Sequence, residues 1–428
     1  MTTLVFGLGS TGRSCLEYLN NEQVVGYDKR IYSEQFRRED LTSEYSNLDL
    51  VDELDFLQHI HKADRMIVSP GISLDHHIVK EAVSVGLPIV SDIDLFMENS
   101  PKKVIAITGT NGKSTVASLT ADMMSEIPVG LGGNIGLPAL DLLQDVYSAH
   151  VLELSSFQLE RMQSWRFEAS TILNISGDHL DRYDSFEEYA RVKHRIYENC
   201  NWVVYDDNDT IASPKRSHKQ EIAIGAEGLF NIENESIVIG GSNVSAADIG
   251  IVGRHNLFNA TVASALAYTQ GVSVDRMRNS LTNFSGLPHR CQSVAIQNGI
   301  TFINDSKATN VGSCLAALAS FGDFEQPNII LLAGGDGKGG DFRALLPSAI
   351  RFVRHAVLFG QDARKIQDAL RNLPTSLVSN FESAVVEAAN RAKPGDYVLL
   401  SPACASLDMF DSFEHRGEVF SAIVGRFT

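Results

Sequence analysis

Lys102–Val116, KKVIAITGTNGKSTV, decides how the chain is read. Val104-Ile105-Ala106-Ile107 has the length and borders of a buried strand, and helical composition follows from Thr115 to Met124. Between them, Gly109 and Gly112 let backbone N–H groups converge where side chains would obstruct, and the helix start adds unpaired donors and partial positive charge. A strand, a glycine turn through Thr110 and Asn111, and a helix start make an anion site, with Lys113 placed to reach the β- and γ-phosphates of a nucleotide. Ser114 or Thr115 can offer a hydroxyl to Mg²⁺, which keeps several waters and takes few protein ligands beside phosphate oxygens. The general phosphate-loop pattern has four residues between its glycines, whereas here there are only Thr110 and Asn111.

Around this loop, 428 residues suit about three domains of roughly 100–200 residues each. A hydrophobic content of 44% with 21% charged residues is ordinary for a globular protein. No stretch approaches the roughly 18 apolar residues of a membrane span, so no membrane insertion is expected, and there is no signal-peptide pattern. Cys15, Cys200, Cys291, Cys314 and Cys404 lie far apart without a C-x-x-C pair, suggesting neither a zinc site nor a disulfide framework, and a reducing cytoplasm is expected. A net charge of −17 argues against a general nucleic-acid binder, whose footprint is basic. Anionic substrates must then be met by local sites.

Near the start, Thr3-Leu4-Val5-Phe6 runs into Gly7-Leu8-Gly9-Ser10-Thr11-Gly12, and a helix-like segment follows to Leu19. This is G-x-G-x-x-G in its proper place, and the next strand, Val24 to Tyr27, ends at Asp28, where a dinucleotide fold carries its ribose-binding acid. Taken alone, these residues describe an NAD enzyme, although the same turn binds any diphosphate at a helix start. Arg65 to Val68 leads into Ser69-Pro70-Gly71, and Leu87 to Val90 supplies a fourth strand. A parallel sheet is expected, with Gly7 to Gly12, Asp28 to Arg30 and Ser69 to Gly71 at its carboxyl ends. A second phosphate loop follows, and no hydride-transfer site is evident, so a nucleotide-diphosphate carrier is the better ligand.

From about Ile93 the phosphate loop governs. GLGGNIG, Gly130 to Gly136, reads as a glycine-rich turn whose Asn134 either touches a ligand or is a plain loop asparagine. In HVLELSSFQLE, Glu153 lies between two leucines, which implies a partner such as Mg²⁺ if the strand is central, or water if it is an edge. After the strand Thr171 to Ile175 comes GDHLDRY, whose His179 ligates a metal or caps a turn. Lys193 falls in the apolar stripe of a helix from Phe186 to Asn199, where it snorkels outward or serves a site. No chemistry is evident from about Trp202 to Val252. Asn256 and Asn259 then share one face of a helix, to cap it or to read an adenine edge.

Gly286-Leu287-Pro288-His289-Arg290 reads as a linker followed by the start of a third unit. Its strands, Ile300 to Ile303, Pro327 to Ala333, Ala356 to Phe359 and Tyr397 to Leu400, point to a second doubly wound sheet. Three of them end in polar or glycine-rich clusters, NDSKATN at 304–310, GGDGKGGD at 334–341 and SPACAS at 401–406. Lys307 and Lys338 are expected in one crevice suited to carboxylates or a transferring phosphate.

TGTNGKST, NDSKATN, LAGGDGKGGDF (332–342) and SPACASLDMFDSFEHRGEVF (401–420), together with GLGSTG, resemble the Mur ligase family, whose own phosphate loop has this short form. The resemblance implies an α/β protein of three domains: a Rossmann-like UDP-binding sheet over 1–92, a central P-loop ATPase-like mixed sheet over 93–287 and a Rossmann-like unit over 288–428. It also implies an ATP-dependent ligase of peptidoglycan synthesis, acting as a monomer, that joins D-glutamate to UDP-N-acetylmuramoyl-L-alanine through an acyl phosphate. The L-alanine-adding member of the family is the nearest rival.

Residue by residue, the resemblance assigns Lys113, Glu153, His179 and Lys193 to catalysis, with Ser114, Glu153, His179 and Lys193 near two Mg²⁺ ions and Lys193 carbamylated. ATP is expected on residues Gly109 to Thr115, with Asn259, Arg290 and Asp305 around adenine and ribose. The UDP precursor is expected on Gly9, Ser10, Thr11, Gly12, Asp28, Lys29, Arg30, Gly71 and Asn134. The family often has threonine-arginine where this chain has Lys29-Arg30, which leaves uridine contacts to Arg30 and the backbone of Lys29. D-Glutamate is expected on Lys307, Thr309, Lys338, Ser406 and Phe413. Three substrates on three domains imply closure by the third. An NAD-dependent enzyme and a nucleotide-gated binding protein are the readings from other classes.

Overall fold

A computed structural model describes all residues except 34, 35, 37, 164, 178–181, 226, 227, 234, 235, 252 and 428, and describes residue 254 by its backbone alone. Strands β1 (Thr2–Phe6), β2 (Gln23–Tyr27), β3 (Leu48–Leu50), β4 (Arg65–Val68) and β5 (Ile89–Val90) form a parallel sheet in the order β3-β2-β1-β4-β5. The order reverses between β1 and β4, so their carboxyl ends flank a crevice. The turn after β1 closes tightly on the helix Ser10–Tyr18: a Cβ on Gly12 would stand 2.0 Å from the Gly7 carbonyl oxygen.

The next six strands are β6 (Lys103–Thr108), β7 (Val129–Gly133), β8 (Ala149–Glu153), β9 (Phe167–Ile172), β10 (Cys200–Asp206) and β11 (Gln220–Ile224). They form a wholly parallel sheet in the order β11-β10-β9-β6-β8-β7. The antiparallel strands β12 (Phe230–Glu233), β13 (Ser236–Ile239) and β14 (Ser242–Ser245) make a small sheet of their own. The mixed character expected of the central sheet is thus divided between two sheets. The expected turn Gly130 to Gly136 is also corrected, because its first four residues are strand. Glycine serves there for close approach: a Cβ on Gly132 would lie 2.3 Å from the Leu137 carbonyl oxygen.

The last sheet runs β15-β16-β20-β17-β18-β19, from β15 (Gln292–Gln297), β16 (Ile300–Asn304), β17 (Ile329–Gly334), β18 (Val353–Phe359), β19 (Thr375–Leu377) and β20 (Tyr397–Leu400). It is parallel apart from β15, which pairs antiparallel with β16. One apolar cluster continues from Leu4 and Val5 of the first sheet, through Phe96 of the helix Asp92–Asn99, to Leu152 and Tyr197 of the central unit. The third unit packs its two faces on clusters that contain only its own residues.

Gly12→Ala forces a methyl into the Gly7 carbonyl. Strain of this kind costs about 1–3 kcal/mol, and a lowered urea midpoint checks it; an unchanged midpoint would show that the turn yields freely.

Candidate active site

Glu153 ends β8, which pairs with β6 on one side and β7 on the other, so the carboxylate belongs to an interior strand and is buried. It cannot turn to water, and its partners come from elsewhere in the fold. Ser114 Oγ, at the start of the helix Lys113–Met123, donates to Oε2 at 2.5 Å, and Asn134 Nδ2 donates to Oε1 at 2.8 Å. From the third unit, Arg290 Nη2 donates to Ser114 Oγ at 2.6 Å. Burial pushes the Glu153 carboxyl upward, but the Lys113 charge, the bonds from Ser114 and Asn134, and the Arg290 charge outweigh it. The group is held below the ordinary carboxylate range and stays ionised. Ser114 and Glu153 together offer a hydroxyl and a carboxylate oxygen, the hard donors that Mg²⁺ takes. Among the described residues no three His, Cys, Asp or Glu groups converge. His179 lies outside the described residues.

The phosphate loop is wound as its glycines require, with φ of +153° at Gly109 and +85° at Gly112. Lys113 folds over it, Nζ donating to the carbonyls of Gly109 and Thr110 at 2.9 Å each. Lys193 does not snorkel. It is 2% exposed, donates to the Gly109 carbonyl at 2.9 Å, and lies over the Tyr189 ring at 4.9 Å. Tyr189 in turn meets Thr110, hydroxyl to hydroxyl, at 3.2 Å.

Asn256 and Asn259 leave the capping position of their helix to Gly253 and bond each other, Asn259 Nδ2 donating to Asn256 Oδ1 at 2.9 Å. With Gly112, Thr115, Arg290 and Asp305 they line a crevice of about 70 Å³ between the central and third units. Asp305 is buried, accepting from Ser401 Oγ at 2.8 Å and from the Cys291 N–H at 3.2 Å; burial pushes it up to about 7.

Two larger cavities meet at Asn134. The first, about 670 Å³, lies at the crevice of the first sheet and takes in Gly9, Ser10, Thr11, Asp28, Lys29, Arg30, Gly71 and Asn134. Gly12 lies behind it, against Gly7. Asp28 accepts the Leu8 N–H at 2.8 Å and a two-pronged contact from Arg30, Nε at 2.8 Å and Nη2 at 2.7 Å. The second cavity, about 640 Å³, is lined by residues Thr110 to Ser114, Asn134, Glu153, Arg290, Lys307, Thr309 and Phe413. Lys307 Nζ stands 3.8 Å from the centroid of the Phe413 ring, and burial, with Arg290 nearby, lowers its pKa to about 8.

Lys338 and Ser406 are not brought to this cavity. They occupy two loops joined by the Asp336–Ala405 bridge, Lys338 exposed and Ser406 buried. Sequence reasoning missed Ser313, whose hydroxyl donates to Asn111 Oδ1 across the domain boundary at 2.6 Å. It also missed Arg416, which is fully buried and donates to Ser306 Oγ at 2.9 Å and to the Ser306 carbonyl at 2.7 Å, fixing the loop that carries Lys307. Arg416 shares the buried stripe of the helix Phe413–Val424 with Phe420 and Ile423, a spacing that signals its burial but not what it touches.

Comparison with known proteins gives this arrangement a family. The N-terminal domain of MurD-like Mur ligases matches residues 1–91, the Mur ligase middle domain 107–267, and the glutamate ligase domain of Mur ligases 289–404. The chain belongs to the Mur ligase family. This Mur ligase is 41% identical over 440 residues to the UDP-N-acetylmuramoylalanine–D-glutamate ligase of Legionella pneumophila strain Paris, covering 98% of each chain. It is 40% identical over 437 residues to the ligase of that name from Pseudomonas aeruginosa, covering 98% of this chain and 97% of that one. Among solved structures, a pseudomurein peptide ligase from Methanothermus fervidus superposes with a TM-score of 0.63 at 17% identity over all of both chains. The UDP-N-acetylmuramate–alanine ligase of Thermotoga maritima does so with 0.61 at 18%, again over all of both chains. These two likenesses show a shared fold.

Asp305 gives the site a pH signature. Its folded pKa of about 7 stands above the ordinary 3.8, so its contribution to stability is full below about pH 4 and lost as the pH rises through about 7. Asp305→Asn removes that loss, and its unfolding free energy relative to the natural chain rises from about pH 5 to about pH 8. Urea titrations at the two values check this; a constant difference would mean that Asp305 is ionised throughout.

Proposed function

We propose that this Mur ligase joins D-glutamate to UDP-N-acetylmuramoyl-L-alanine at the expense of ATP, in the cytoplasmic synthesis of peptidoglycan precursors. The observation that carries the reading is Asn134, which lines both large cavities and bonds Glu153. A precursor whose diphosphate rests on Gly9 to Thr11 then brings its free carboxylate past Asn134 to the phosphate loop. Identity of 41% over nearly the full length of a D-glutamate ligase favours D-glutamate over L-alanine as acceptor. The assignment follows three units, 1–92 for the precursor, 93–287 for ATP and 288–428 for the amino acid.

In this reading the γ-phosphoryl group passes from ATP to the alanyl carboxylate, and the amine of D-glutamate attacks the acyl phosphate. The tetrahedral intermediate collapses to amide and phosphate. Phosphoryl transfer between anions calls for alignment and charge neutralisation more than covalent help. Lys113 and the loop N–H groups hold the phosphates, and Arg290 and Asp305 bound the nucleoside with Asn259. Ser114 and Glu153 would hold Mg²⁺, with His179 and a carbamylated Lys193 for a second ion; the metal supplies charge neutralisation on the phosphates. Lys307, Thr309 and Phe413 receive D-glutamate, with Lys338 and Ser406 joining through movement of their own two loops within the third unit. A cation facing its side-chain carboxylate disfavours glycine and alanine, which leave that charge unpaired.

Phosphate release from ATP, with the precursor, Mg²⁺ and bicarbonate supplied, should appear with D-glutamate and not with L-alanine, and should fall when bicarbonate is depleted. Glu153→Gln should lower it about 100-fold or more while raising the Mg²⁺ requirement. Release that no amino acid stimulates would sink the ligase reading.

A crevice of about 70 Å³ lies far below the ~300–1,000 Å³ of typical ligand pockets. The third unit therefore withdraws to admit adenine and closes again on the assembled substrates. Solution scattering should change with nucleotide plus precursor, and an identical profile would count against the movement.

A further inference from the structure

Arg182 is left unused by the reaction just described, yet it is held with unusual care. It follows the GDHLD stretch of the central unit, and its side chain reaches the first unit. There Nη1 donates to the Gly71 carbonyl and Nη2 to the Ile72 carbonyl, both at 3.3 Å. The guanidinium lies 4.5 Å from the centroid of the Phe157 ring. Phe157 stacks on Tyr183, centroids 6.1 Å apart and planes at 18°, and Tyr183 packs on Tyr189 at 5.4 Å. Tyr189 contacts Thr110 of the phosphate loop. The plane of the guanidinium is thus fixed on a ring ladder that ends at the ATP loop.

Among the described residues, these long bonds take two of the five guanidinium N–H groups, and the group lines the cavity of the first sheet. The charges around that cavity show what the remainder is for. Asp28 and Glu53 are acidic, while Lys29, Arg30 and Arg182 are the cations among the lining residues. Arg30 is committed to Asp28 at 2.7 Å, and Glu53 is taken up by the Tyr27 hydroxyl at 2.7 Å and by His77 at 2.9 Å. A diphosphate entering a chain of net charge −17 meets the helix start at Ser10, and needs a fixed cation as well.

We infer that Arg182 is a precursor-binding residue that takes the diphosphate with the donors its carbonyl contacts leave over, tying bound precursor to both the first and central units. The inference rests on the precursor reading of this cavity. Its test is steady-state kinetics and equilibrium precursor binding for the natural chain, Arg182→Lys and Arg182→Gln, at low and high salt. Arg182→Gln should raise the precursor KM and Kd about 10- to 100-fold, leaving the KM values for ATP and D-glutamate within about two-fold. Its precursor Kd should also depend less on salt. Arg182→Lys, which keeps the charge but not the fork, should fall between and serves if the glutamine variant does not fold. Precursor Kd unchanged in the variants, or all three KM values rising together, would overturn the assignment. Failure of the natural chain to bind precursor would instead overturn the reading of the cavity.

Discussion

A carboxylate buried at the end of an interior strand sets the terms for the rest of the molecule. Glu153 cannot be solvated, and an unpaired charge there would be very costly. The fold therefore delivers partners to it from three directions: Ser114 and Lys113 from the start of a helix, Asn134 from the end of β7, and Arg290 from the third unit. Each partner belongs to a different cavity wall. Satisfying one charge thus places the phosphate loop, the end of the precursor cavity and the third unit around one point. The same convergence keeps Glu153 ionised without water.

Apolar contact is unevenly divided among the three units. The first and central units share a continuous apolar cluster, whereas the third is packed on clusters of its own. Polar contacts cross to the third unit at the site, including Arg290 to Ser114, Ser313 to Asn111, and a short bond between His255 and Ser320. Separating shared apolar surface costs about 25 cal/mol per Å². Exchanging a polar contact for water costs far less, because the hydrogen bond is replaced.

Much of this was legible in the chain itself, for identifiable reasons. The phosphate loop and GLGSTG announce themselves because glycine spacing and an apolar strand are both local, and the loop folds as read, with Gly109 and Gly112 at positive φ. Open alternatives were settled by topology. Glu153 could have been an edge residue until β7 was seen to pair beyond β8, and Lys193 could have snorkelled until its helix was seen to pack over Gly109. Gly130 to Gly133 misled because glycine in a strand and glycine in a turn look alike in sequence. Leu48–Leu50 and Thr375–Leu377 are too short to show a period of two. Ser313, Arg182 and Arg416 were illegible as site residues because their significance lies in what they touch more than 100 positions away.

The narrow crevice at Asn259 and the polar seam share their side chains. The groups that hold the seam together are those the proposed substrates would engage: Ser114 and Arg290 at the phosphate loop, and Asn111 beside Asn259. A nucleotide entering there exchanges hydrogen bonds for hydrogen bonds, at a net cost or gain of about a kilocalorie per mole each. The opening and closing proposed above then costs little in hydrogen bonding. An apolar seam would have locked the third unit in one position, and the substrates would have had to expose it to enter. Polar contacts at the boundary and an apolar interior on either side of it suit the proposed assembly of three substrates around one buried carboxylate.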